Sequence, residues 1–101
     1  MNTIQIIEEG KVLIIEREIP GIKEDEVLVK VKYVGFCGSD LNTFLGRNPM
    51  VKLPVTPGHE IGGIIEEVGS DVPNHFKTGM ACTVNPYTSC GECSSCRIGR
   101  V

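Results

Sequence analysis

The sequence predicts a mainly β domain with one short helix, folded as a partly open barrel or as a sandwich. Three observations carry this. Short runs rich in Val, Ile, Thr and Tyr recur along the chain, each bounded by Gly, Pro or polar residues. Twelve glycines and six prolines among 101 residues favour turns over long helices. Only one segment, following Ser39-Asp40 and stopped by Gly46, carries helix start and stop signals.

Thr3 to Ile7 and Val12 to Ile19 are the first two strands, and the Glu8-Glu9-Gly10-Lys11 connection between them reads as a hairpin. Pro20-Gly21 ends the second strand, and Lys23 to Glu26 is a solvated turn. Val27 to Val34 alternates, with Val27, Val29, Val31 and Tyr33 on one face and Lys30 and Lys32 on the other. That strand ends at Gly35 and delivers Cys37 to its tip. Ser39 or Asp40 can cap a helix over Leu41 to Leu45, because either side chain accepts a free N-terminal N–H. Asn48 to Pro57 holds three prolines and reads as an extended surface loop. Ile61 to Val68 is a strand in which Gly62 and Gly63 permit a bend or a close backbone approach. Met80 to Val84 is a last short strand before a cysteine-bearing loop.

Composition excludes several classes. A net charge of −3 provides no electrostatic footprint for nucleic acid, and no charge run suits a membrane surface. No apolar stretch approaches the roughly 20 residues that span a bilayer, and no signal peptide is evident. The cytoplasm is the expected location. Five cysteines, an odd number without a secretory signal, argue for metal or redox chemistry over a disulfide framework.

Cys90-Gly-Glu-Cys93-Ser-Ser-Cys96 is a C-x2-C-x2-C run whose thiolates can turn inward onto one ion. A closed structural zinc site wants four ligands, and no Cys, His, Asp or Glu follows between Arg97 and Val101. Iron–sulfur spacing would place a cysteine at position 100, which is Arg100. A redox C-x-x-C lacks the surrounding βαβ pattern. Metal is the favoured reading.

Cys37 alone reads as a buried thiol, and His59 alone as an ordinary satisfied histidine. Together they read differently. Both lie in glycine-flanked loops, Glu60 follows the imidazole, and Asp40 is placed to orient an imidazole ligand through its other nitrogen. Thiolate, imidazole and carboxylate suit borderline-soft zinc, with Ser39 beside an open position. Cys82 reads as core packing and His75 as a surface residue. The Glu8-Glu9 and Glu66-Glu67 pairs point to opposite strand faces and make no acid–base dyad.

These residues resemble the zinc-dependent alcohol dehydrogenases of the medium-chain dehydrogenase/reductase superfamily. Gly58-His59-Glu60, then Gly63, Gly69 and Val72, matches that family's zinc signature, alongside Gly35-Phe36-Cys37-Gly38-Ser39-Asp40 and the Cys90/Cys93/Cys96 run. Asn85-Pro86-Tyr87 looks most like the polyol (sorbitol-type) and threonine dehydrogenase branches. The resemblance implies a GroES-like, partly open β-barrel catalytic domain with one or two short helices. It implies Cys37, His59 and Glu60 at a catalytic zinc, and Ser39 bonding the substrate alcohol. It also implies Cys90, Cys93 and Cys96 as three ligands of a structural zinc, with a fourth cysteine at position 104.

Position 104 lies past the last residue, and no Gly-x-Gly-x-x-Gly is present to cradle a dinucleotide. The chain is therefore expected to be the N-terminal part (1–101) of such a domain, with the Rossmann domain for NAD or NADP lying elsewhere. By itself it should be inactive, hold zinc weakly and expose apolar edges that favour a homo-oligomer. The other expected partner is a small-molecule alcohol. Two departures stand out. Asn42 replaces a frequent relay histidine and cannot act as a base at neutral pH. Gly79-Met80-Ala81-Cys82 replaces a Gly-Asp-Arg-Val stretch. The alternatives are a non-enzymatic zinc-binding or GroES-like interaction module, and a zinc-free quinone reductase relative. Neither has need of Cys37, His59 and Glu60 together.

Overall fold

The computed structural model describes residues 1–100. Strands dominate, in two antiparallel sheets. β1 (Asn2–Glu8) and β2 (Lys11–Glu16) form a hairpin in register from Asn2↔Glu16 to Glu8↔Lys11. β3 (Val27–Gly35), β4 (Glu60–Val68) and β5 (Ala81–Thr83) form the second sheet, with β4 in the centre. Two short helices, α1 (Gly38–Phe44) and α2 (Ser94–Arg97), complete the secondary structure. Among the described residues the sheets do not close into a barrel. One bridge, Ile6↔Val55, ties the hairpin to the loop that leads into β4.

The element bounds differ from the sequence reading for local reasons. β2 stops at Glu16 because Arg17 N–H donates to the Met1 carbonyl as the last cross-strand bond. α1 starts at Gly38, three residues early, because Cys37 and neither Ser39 nor Asp40 is its N-cap. Asp40 sits at the third helical position, where its carboxylate accepts the Cys37 N–H at 3.0 Å. Gly46 ends α1 by donating its N–H to the Thr43 carbonyl. The β3–β4 register shifts at Leu28/Val29, with the extra residue in β4, and at Val31/Tyr33, with the extra residue in β3. Val31 and Tyr33 are exposed, so the apolar face read for β3 is not covered along its length. α2 is a single turn, with the Cys93 sulfur accepting the Cys96 N–H.

The buried core is small. Ile6 and Ile65 are each 3% exposed, while Ile14 is 70% exposed and Phe36 76%. Ile65 is also fixed by its backbone, receiving the Gly79 N–H and donating to the Met80 carbonyl. No helix among the described residues is long and apolar enough to cross a membrane. Replacing Ile65 by Ala should lower unfolding stability of the intact natural protein by about 2–5 kcal/mol, the range for emptying a buried isoleucine site. Ile14→Ala, on an exposed face of β2, should change it by less than about 0.5 kcal/mol. Urea unfolding of the two variants measures both.

Candidate functional site

The β3–β4 ladder runs from Val27↔Val68 to Gly35↔Glu60. At that last pair the strands part, β3 toward Cys37 and β4 back toward His59. Two loops distant in sequence are therefore forced side by side. One sulfur, one imidazole nitrogen and one carboxylate oxygen from Cys37, His59 and Glu60 lie within 4.8 Å of one another. Two donors about 2.0–2.3 Å from one tetrahedral zinc stand roughly 3.3–3.8 Å apart. The three atoms lie close enough for side-chain rotation to bring them onto one ion, and the S, N, O donor set suits zinc. The residues fit the ion.

Two glycines make the approach possible. Gly58 has φ +109, and a Cβ there would stand 2.8 Å from Val34 Cγ1. It therefore lets the His59 loop turn tightly against the end of β3. A Cβ on Gly35 would lie 2.5 Å from Glu60 Oε2 and 2.9 Å from Glu60 Cβ. The Glu60 side chain occupies the space that a side chain at 35 would take.

Asp40 connects the two loops. Its Oδ2 accepts the Cys37 N–H at 3.0 Å, and its Oδ1 stands 3.7 Å from His59 Nδ1. The second approach is too long for a hydrogen bond, but it puts a negative charge beside the imidazole. Thr43, buried in α1, donates its hydroxyl to the Ser39 carbonyl at 3.0 Å and steadies the turn that carries Ser39. Ser39 and Asn42 are exposed. A cleft of about 250 Å³ lies beside this turn, lined by Ser39, Asp40, Thr43, Asn48, Val51 and His59 among others. Gly35, Thr43 and Asn48 escape the sequence reading because none bears ligand chemistry. The Thr43 hydroxyl, four residues beyond Ser39, is the one signal that helical spacing offers.

The second cluster is local. One sulfur from each of Cys90, Cys93 and Cys96 lies within the same 4.8 Å span, with Cys90 and Cys96 Sγ 3.8 Å apart. Backbone amides already point at these sulfurs. Glu92 and Cys93 N–H donate to Cys90 Sγ at 3.5 and 3.3 Å, and Cys96 N–H donates to Cys93 Sγ at 3.4 Å. The Glu92 and Cys93 amides, then the Cys93 and Cys96 thiols, lower the Cys90 thiol from its ordinary value to about 7. Three thiolates fit a zinc ion that takes one further ligand.

The remaining candidates stay apart from both clusters. Cys82, half-buried, pairs with Gly63 across β4 and β5. His75 is exposed and stacks obliquely on Phe76, ring centroids 4.2 Å apart. Glu8, Glu9, Glu66 and Glu67 are all exposed. A wider depression of about 480 Å³ among Lys23, Glu24, Asp25 and Asp71 brings together no ligating or nucleophilic combination.

Residues 23–101 match the alcohol dehydrogenase GroES-like domain. The chain belongs to that family. It is 47% identical over 85 residues to sorbitol dehydrogenase from Bacillus subtilis, covering 81% of this chain and 24% of that protein. It is 35% identical over 100 residues to a zinc-type alcohol dehydrogenase-like protein from Haemophilus influenzae, covering 99% and 29%. Among solved structures, the rspB alcohol dehydrogenase of E. coli CFT073, complexed with NADH, superposes with a TM-score of 0.87 at 43% identity. That alignment covers 99% of this chain and 28% of the other. The chain thus spans less than a third of the length of these relatives.

If the three clustered thiols share an ion, zinc should shield them from alkylation in the intact protein. Cys90, Cys93 and Cys96 should then react with iodoacetamide at least about tenfold faster after chelation, whereas Cys82 should react at one rate throughout. Peptide mapping by mass spectrometry reads all four.

Proposed function

We propose that this chain is the N-terminal part of the catalytic domain of a zinc-dependent dehydrogenase. Its reaction is oxidation of a secondary alcohol, a polyol or sugar derivative, with NAD or NADP. The observation that carries the reading is the convergence of Cys37, His59 and Glu60 at the end of the β3–β4 ladder, next to Ser39 and an open cleft. The kinship with a sorbitol dehydrogenase supports the substrate class, and the NADH-bound relative supports the cofactor class. The cofactor domain lies outside this chain, as does the fourth ligand of the cysteine cluster, and the working enzyme is a homo-oligomer.

Zinc held by Cys37, His59 and Glu60 would supply Lewis acidity that lowers the pKa of the alcohol hydroxyl. The nicotinamide cofactor would supply the hydride acceptor. The chain's own residues do the rest. Cys37 and Glu60 bring negative charge to the ion, and Asp40 sets its carboxylate 3.7 Å from His59 Nδ1, where a small approach on loading would fix the ring. That position leaves Nε2 free to face the ion. Ser39, at the exposed first turn of α1, accepts a hydrogen bond from the alcohol and takes the proton as the C–H bond breaks. Asn42 has no basic site at neutral pH, so the proton leaves Ser39 for water or a cofactor hydroxyl. The exposure of Ser39 supports the direct route.

In the intact natural protein, Cys37→Ala should reduce polyol-dependent reduction of NAD or NADP to background. Ser39→Ala should retain zinc but lower kcat by about 10²–10⁴-fold, the range for a lost general acid–base group. Steady-state kinetics with metal analysis checks both, and undiminished turnover in exhaustively chelated protein would sink the proposal.

A further inference from the structure

We infer that Gly35 is a positioning residue for the metal site: its missing side chain is the recess that seats the Glu60 carboxylate beside Cys37 and His59. The inference rests on the proposed reading of Glu60 as a zinc ligand and extends it to a residue with no ligand chemistry of its own. Three observations support it. Gly35 and Glu60 are directly opposite in the antiparallel register. The three nearest atoms to a Cβ built at 35 all belong to Glu60: Oε2 at 2.5 Å, Cβ at 2.9 Å and Cδ at 3.5 Å. Gly35 is also absent from the glycines with positive φ, so its backbone makes no demand that alanine could not meet.

Gly63 shows what a structural requirement looks like in the same sheet. A Cβ there would strike the Lys30 carbonyl oxygen at 2.6 Å and Val29 Cγ1 at 2.7 Å, so backbone and core would have to move. At Gly35 every atom in the way belongs to one side chain: Oε2, the nearest, is its flexible far end, while Glu60 Cβ at 2.9 Å is carried by the backbone of the paired strand. Alanine at 35 should therefore displace the carboxylate at the cost of a small adjustment of the last β3–β4 pair. Open space surrounds a Cβ at Gly38, which makes that position a neutral control in the same loop.

The test is a double-mutant cycle on zinc affinity in the intact natural protein. Zinc transfer to a chromophoric chelator is resolved into two classes, and the class missing in Cys37→Ala is assigned to this site. Gly35→Ala and Glu60→Gln should each weaken that class by about 10–100-fold, as for lost ligand support. The double variant should be no weaker than either single one, since both changes remove the same contact. Cobalt-substituted Gly35→Ala and Glu60→Gln should share one altered absorption spectrum, whereas Gly38→Ala should keep that of the unmodified protein. Wild-type affinity in Gly35→Ala with loss in Glu60→Gln would overturn the inference alone. So would additive losses, or failure of Gly35→Ala to fold. Unchanged affinity in Glu60→Gln would overturn the ligand reading of Glu60, and the inference with it.

Discussion

The pairing of β3 with β4 is the constraint on which the site depends. An antiparallel ladder brings residues far apart in sequence into direct opposition, and this one terminates at Gly35↔Glu60. Cys37 lies two residues beyond one strand end and His59 one residue before the other. A slip of one residue in register would turn Glu60 to the opposite face of the sheet. The bulges at Leu28/Val29 and Val31/Tyr33 shift the pairing in opposite senses, one extra residue in β4 and one in β3, so the closing pair returns to the register that begins at Val27↔Val68.

The hairpin of β1 and β2 acts as a buttress for both loops. Ile6 exchanges backbone hydrogen bonds with Val55, at 2.9 and 3.0 Å, just ahead of Pro57-Gly58-His59. At its other end Gly10 N–H donates to the Phe44 carbonyl at the last turn of α1, 2.7 Å away. One element thus grips the approach to His59 and the exit from the helix that begins at Cys37. Asp40 joins the same loops from inside, capping the Cys37 amide with one oxygen and facing His59 with the other.

How much of this the sequence discloses depends on whether the determining contact is local. The β-rich runs, the Glu9-Gly10 turn and the stop at Gly46 are legible because turn chemistry and alternation act over a few neighbours. Cys37, His59 and Glu60 are legible as a candidate set because thiolate, imidazole and carboxylate are chemically marked wherever they fall. The start of α1 is not legible. Choosing among Cys37, Ser39 and Asp40 as cap requires knowing that β3 holds Cys37 in extended backbone at φ −109, ψ 155. Gly35 is silent for the same reason, since its function lies in a register partner 25 residues away (60 − 35). The exposure of Val31 and Tyr33 is not legible either, since periodicity says which residues share a face and not whether anything packs on it.

The two clusters differ in what assembles them, and this bears on the separate roles proposed for them. Cys90, Cys93 and Cys96 lie within one turn of chain, and amides of the same segment already donate to two of the sulfurs. Such a cluster gathers with little help from the rest of the fold and leaves its donors ready for a closed, structural ion. The Cys37, His59 and Glu60 cluster exists only once two strands pair, a hairpin anchors the loops and two glycines leave room. A site assembled from distant segments can face a cleft on one side and keep a coordination position open. That is the arrangement a catalytic metal requires and a structural one does not.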